Sequence, residues 1–145
     1  MAHFLLINGP NLALLGQREP SIYGTTTLEE IETRLKNLAK KRGHELTCFQ
    51  SDAEHKLVKR VHDAHEENVD FLLFNPAAFT HTSIVLRDAL LAVRIPFIEI
   101  HLSNVATRED FRQRSFFSDV AVGTIAGFGV TSYELALTAA EHYLA

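Results

Sequence analysis

The chain has 145 residues, 46% of them hydrophobic and 22% charged, with a formal net charge of −4 and a single cysteine, Cys48. That length is expected to form one domain, 1–145, with a proper core, and that balance excludes a disordered or fibrous chain. The lone thiol excludes an internal disulfide and a cysteine zinc cluster and fits a reducing cytoplasm; no basic stripe marks a nucleic-acid surface, no apolar run nears the ~20 residues of a membrane span, and no secretory leader is expected.

Residues 4–7 are a short continuous apolar run and read as a buried strand. Thr27-Leu28-Glu29-Glu30 has the form of a capping box, and Leu28, Ile31, Leu35 and Leu38 follow at helical spacing until Lys40, Lys41, Arg42 and Gly43 close the helix. Residues 46–49 read as a second strand. Ser51-Asp52-Ala53-Glu54 is another capping box, followed by Leu57, Val58, Val61 and Ala64. Residues 71–74 read as a third strand, and a helix from about Ser83 carries Ile84, Leu86, Leu90 and Val93. Residues 96–100 read as a fourth strand, after which Thr107-Arg108-Glu109-Asp110 is expected to open a short helix. Residues 120–125 read as a fifth strand, and Thr131-Ser132-Tyr133-Glu134 caps a last helix with Ala136, Leu137 and Ala140.

Strands and helices alternating in this way predict an α/β fold, a doubly wound parallel sheet with helices on both faces. Five strands suit the flavodoxin-like order 2-1-3-4-5, in which ligands bind outside the carboxyl ends of the strands. Those ends carry the informative residues. After strand 1, the polar segment from Asn8 to Thr27 is long for a strand-to-helix loop. It reads either as a lid or as a surface loop with a solvated Arg18 and a packed Tyr23. After strand 3, Asn75 and His81 lie near the same edge. His81 could equally be a neighbour of the helix cap, since Thr80, Thr82 and Ser83 are all capping types.

Glu99 and His101 are two apart in strand 4 and so share a face. A carboxylate beside an imidazole raises its pKa and fixes its tautomer, so the pair suits a general acid; the alternative is a buried pair with a purely structural part. Arg108 and Arg112, four apart, would share a face of the short helix and either hold an anion or form a solvated surface. Zinc is disfavoured by the histidine spacing. Lys36, Lys40, Lys41, Lys56 and Lys59 all fall on the first two predicted helices, which disfavours Schiff-base chemistry. No nucleophile elbow and no phosphate-cradling loop is present. The inventory favours proton transfer without metal or covalent intermediate.

Several motifs together resemble the type II 3-dehydroquinate dehydratases. They are Asn8-Gly9-Pro10-Asn11-Leu12, Arg18-Glu19-Pro20 with Tyr23-Gly24, Asn75-Pro76, Thr80-His81-Thr82-Ser83 with Leu86-Arg87-Asp88-Ala89-Leu90, and Glu99-Ile100-His101-Leu102-Ser103-Asn104. Arg108, Phe111-Arg112, Gly127-Phe128-Gly129 and Ser132-Tyr133 continue the likeness, in order and at matching spacing. The resemblance implies dehydration of 3-dehydroquinate to 3-dehydroshikimate through an enolate, without metal or organic cofactor. It also implies a homododecamer, a tetramer of trimers. By the same resemblance Tyr23 is the proton acceptor, Arg18 the transition-state stabiliser and His101, oriented by Glu99, the proton donor. Asn11 holds a water at the enolate oxygen, and Arg108 is a second cation for the phenolate. Asn75, His81, Arg112 and the backbone of Leu102 and Ser103 bind substrate, and Asp88 reaches a neighbouring subunit's site. A free phenol has a pKa of about 10, so a nearby cation is needed to raise the ~0.1% of phenolate present at neutral pH. The chain departs from the usual pattern at Ala13, Asp52, His55, Ala77, Phe79 and Gln113. The same reaction serves either the shikimate pathway or quinate catabolism, and the rival readings are a related lyase acting on another polyol acid and a non-catalytic ligand-binding module of the same fold, for a nucleotide or flavin. Against the module, the first loop offers Asn, Pro and Leu rather than the Ser, Thr and Gly of a flavin phosphate site.

Overall fold

Alternation along each strand sends successive side chains to opposite faces of a sheet, so a strand covered on both faces must be apolar throughout. The computed structural model describes residues 1–145 except Arg18, and of Ile22 and Tyr23 the backbone alone. The apolar runs are strands β1 (His3–Asn8), β2 (Glu45–Gln50), β3 (Phe71–Asn75), β4 (Phe97–His101) and β5 (Gly123–Ala126). They form one parallel sheet in the order β2-β1-β3-β4-β5, as the sequence predicts. The helices are α1 (Pro20–Tyr23), a single turn, then α2 (Leu28–Lys41), α3 (Glu54–Glu66), α4 (Ile84–Val93) and α5 (Thr131–Leu144).

Each long helix buries one apolar stripe. On one face of the sheet, Leu35 of α2 and Tyr133 and Leu137 of α5 pack in one cluster with Phe4, Leu6 and Leu73. On the other, Leu57 and Val61 of α3 and Leu86 and Leu90 of α4 pack with Leu5, Ile7 and Phe74. Each such aliphatic side chain contributes roughly 1.5–3 kcal/mol by leaving water.

Two helix starts are as expected. The Thr27 hydroxyl accepts from Glu30 N at 3.2 Å, and that of Ser83 accepts from Leu86 N at 3.1 Å. The others are corrected by local hydrogen bonds. Ser51 Oγ accepts from Ala53 N at 3.0 Å, so its hydroxyl closes a turn and α3 starts at Glu54 after an uncapped Ala53. Thr107 opens no helix. Its hydroxyl donates to the Asn104 carbonyl at 2.8 Å, Asn104 caps a 3-10 turn over Val105–Thr107, and a second such turn follows at Asp110–Arg112. Arg108 and Arg112 therefore share no helical face. Thr131 is the first residue of α5 and does not cap it; the next hydroxyl, Ser132, accepts from Phe128 N at 3.2 Å. β5 begins at Gly123 because the Val120 and Ala121 amides turn back onto the Phe117 carbonyl. The segment after β1 contains a 3-10 turn, Leu12–Leu14, as well as α1, where the sequence reads as loop.

Candidate active site

The carboxyl ends of β1, β3 and β4 lie side by side, with Asn8 paired to Asn75 and Phe74 paired to Glu99 in register. The loops leaving β1 and β3 touch through their backbones. Gly9 N donates to the Asn75 carbonyl at 2.8 Å, and a Cβ at Gly9 would sit 2.4 Å from the Pro76 carbonyl oxygen, so only glycine fits. Asn11 adopts a left-handed conformation (φ 68°), with its amide donating to Asp52 Oδ1 at 2.9 Å. Gln50 Nε2 braces the same corner, donating to Gly9 O at 3.0 Å and to Asp52 Oδ1 at 3.1 Å. A cavity of about 160 Å³ opens there, lined by Asn11, Asn75, His81, His101, Leu102, Ser103, Arg108 and Arg112 among others.

Glu99 and His101 share a face of β4 and are 1% and 6% exposed. Glu99 Oε2 accepts from His101 Nε2 at 2.5 Å. A carboxylate only accepts, so the proton of that bond is on Nε2 and Nδ1 is the nitrogen left for chemistry. Glu99 also accepts from Ser115 Oγ, 3.1 and 3.0 Å from its two oxygens, and from Ser118 Oγ at 2.6 Å. Burial pushes this carboxyl up, but the bonds from His101, Ser118 and Ser115 more than offset it and hold it below the usual carboxylate value. The two serines escape sequence reasoning, because a serine sixteen or nineteen residues from its partner leaves no local pattern.

Asn75 is held from two sides. Its Oδ1 accepts from Ala77 N at 3.1 Å, and its Nδ2 donates to the Tyr133 hydroxyl at 3.0 Å. Tyr133 in turn donates to Asn8 Oδ1 at 2.6 Å. Burial pushes the Tyr133 phenol well above its ordinary value, so it stays a donor. His81 lines the cavity, and its Nδ1 donates to the Arg114 carbonyl at 2.8 Å. Arg108 and Arg112 are gathered by one carboxylate instead of a helix face. Glu109 Oε1 lies 3.7 Å from Arg108 Nε and accepts from Arg112 Nε at 2.9 Å. Gln113 ties both turns, donating from Nε2 to the Val105, Arg108 and Glu109 carbonyls at 2.7, 3.2 and 3.2 Å. Asp88 lies on the exposed side of α4, in a different hollow with Arg87 and Asp119. Arg18 and the Tyr23 side chain lie outside the described residues.

Among the described residues no helix is long and apolar enough to cross a membrane. Fold and cavity define a doubly wound α/β protein with a carboxylate-held imidazole and two guanidiniums at the carboxyl end of its sheet. More narrowly, the chain belongs to the class II dehydroquinase family, whose model matches residues 2–141. It is 64% identical over 140 residues to the 3-dehydroquinate dehydratase of Cellvibrio japonicus (strain Ueda107), covering 97% of this chain and 95% of that protein. It is 62% identical over 140 residues to the 3-dehydroquinate dehydratase of Hahella chejuensis (strain KCTC 2396), with the same coverage. It matches the crystal structure of type II dehydroquinase from Butyrivibrio crossotus DSM 2876 with a TM-score of 0.94 at 38% identity, over 97% of each chain. For the type II dehydroquinase from Propionibacterium acnes the TM-score is 0.92 at 42% identity, again over 97% of each chain. Family and strand order are those expected from the sequence.

Proposed function

We propose that this chain is a lyase that dehydrates 3-dehydroquinate to 3-dehydroshikimate. The observation that carries the reading is the buried Glu99–His101 pair opening onto a small cavity shared with Asn75, His81, Arg108 and Arg112. A cavity of about 160 Å³ suits one polar ring better than a dinucleotide or flavin.

Tyr23, made more acidic by Arg18 and Arg108, removes a proton next to the ketone, and the electron pair moves to the ketone oxygen to give an enolate. A water on Asn11 donates to that oxygen; a preorganised donor of this kind is worth several kcal/mol. The enolate then collapses, a carbon–carbon double bond forms, and the β carbon–oxygen bond breaks. The hydroxyl takes the proton of His101 Nδ1 and leaves as water, while Glu99 steadies the imidazolium. Asn75, His81, Arg112 and the Leu102 and Ser103 amides hold the substrate's hydroxyls and carboxylate, and Asp88 serves the site of a neighbouring subunit. This scheme uses neither metal nor organic cofactor. The reading includes a homododecamer built as a tetramer of trimers, a cytoplasmic location and a place in the shikimate pathway.

The test is the appearance of the conjugated enone from 3-dehydroquinate by ultraviolet absorbance, with and without EDTA and after borohydride treatment in the presence of substrate. Activity that survives both treatments is expected. A folded, oligomeric sample without activity would refute the lyase reading, and loss to EDTA or borohydride would refute the metal-free, imine-free scheme.

A further inference from the structure

Residues 114–119 follow the second 3-10 turn and touch the His81 imidazole and the Glu99 carboxylate that holds His101. The Arg114 carbonyl accepts from His81 Nδ1 at 2.8 Å, and Phe116 N donates to the Thr80 carbonyl at 2.9 Å. Ser115 Oγ accepts from Phe117 N at 3.0 Å and from Ser118 N at 3.1 Å. Those two bonds occupy its acceptor side, so its one proton goes to the Glu99 carboxylate. Ser118 gives its proton to Glu99 Oε1 at 2.6 Å, the length of a charge-assisted bond. Outside, Arg87 latches the segment: its guanidinium pairs with both Asp119 oxygens at 2.5 and 2.9 Å and donates to the Phe116 carbonyl at 2.9 Å.

Resting on the reading of His101 as general acid, we propose that Ser115 and Ser118 are positioning residues for it, holding Glu99 ionised and in one rotamer so that Glu99 can hold His101. Neither serine lines the cavity. Their effect is on where the proton of the pair sits. A carboxylate this buried has little water to stabilise its charge. With fewer donors Glu99 takes up a proton at a higher pH, and a protonated Glu99 no longer holds the imidazolium with Nδ1 toward the departing hydroxyl.

The surroundings leave few competing charges. On neighbouring strands Phe74 and Thr124 stand in register with Glu99. From 114–119, the Arg114 guanidinium sits over the Phe116 ring at 5.0 Å, and Asp119 is paired with Arg87 of α4. His81, Arg108 and Arg112 line the cavity with His101.

The experiment compares Ser118→Ala with Ser118→Thr, which keeps the hydroxyl, in the full chain. kcat and KM for 3-dehydroquinate are measured across pH, and His101 is titrated by NMR without substrate. Ser118→Ala should move the acid limb of kcat up by about one pH unit, the size of one lost hydrogen bond to a charged group. The low-pH transition of the His101 ring should move with it. KM should stay within about twofold, because no substrate contact is lost. Ser118→Thr should restore both midpoints. An acid limb and a ring transition that stay at the wild-type pH overturn the proposal, even if kcat falls equally at every pH, as a merely structural role would have it. If the wild-type chain fails to turn over 3-dehydroquinate, the functional reading fails while the NMR titration still decides the part played by the serines. If Ser118→Ala does not fold, Ser118→Cys, a weaker donor, should give an intermediate shift of the ring transition, and no shift overturns the proposal.

Discussion

An imidazole can protonate a leaving group only while it is charged, and in the proposed reaction that imidazole is His101, bonded to a carboxylate two residues away. His101→Ala should therefore abolish turnover yet leave a folded protein that binds product analogues, as read by calorimetry; normal turnover would remove His101 from the general-acid role. Glu99 also links the site to acid stability. Its folded midpoint lies below the ordinary carboxylate value, so its contribution is present above that value and is lost as pH falls through the folded midpoint. Glu99→Gln should flatten the fall of the urea midpoint over that acid range. Part of this site is legible in sequence because residues two apart in a strand must share a face, which pairs Glu99 with His101 without any tertiary knowledge. The Tyr133 clamp on Asn75 is not legible in that way, because it joins the last helix to the third strand and depends on the sheet order.

At the level of elements, continuous apolar runs mark β1, β3 and β4, which are buried on both faces, and helical stripes mark every long helix, whereas the edge strands β2 and β5 are partly exposed and their bounds less sharp. Starts of helices are less legible, since Ser and Thr have several backbone partners within reach. Thr27 finds the amide three residues on, whereas Ser51 finds one two residues on and Thr107 gives its proton to a carbonyl. The 3-10 turn Ala77–His81 carries a sharper lesson. Ala77 is left-handed at φ 52°, a conformation that costs a side-chain-bearing residue roughly 1–2 kcal/mol. Glycine removes that strain but gives back part of it as unfolded-chain entropy. Ala77→Gly should thus stabilise the protein by up to about 1 kcal/mol in urea unfolding. A loss of stability would mean that packing of the Ala77 methyl outweighs the strain.

As a whole, the molecule leaves apolar side chains uncovered on α4, where Ile84, Val85 and Leu91 are exposed beside Asp88. Such side chains are of the kind a subunit interface covers, which supports an assembled form. Light scattering is expected to give twelve chains. Asp88→Ala, outside the cavity of its own chain, should lower kcat/KM by about tenfold through the neighbour's site, equivalent to ~1.4 kcal/mol. Unchanged kcat/KM would take Asp88 out of the site.

The bond from Tyr133 to Asn8 joins residues 125 positions apart, and the same hydroxyl accepts from Asn75. A chain leaving the ribosome has made β1, β3 and β4 before this tyrosine is synthesised. The Tyr133 brace on both asparagines is thus set last, when α5 docks, and in an unfinished chain the Ala77 amide alone holds the Asn75 side chain. During refolding, recovery of helix and strand signal should run ahead of recovery of substrate binding by the time α5 takes to dock.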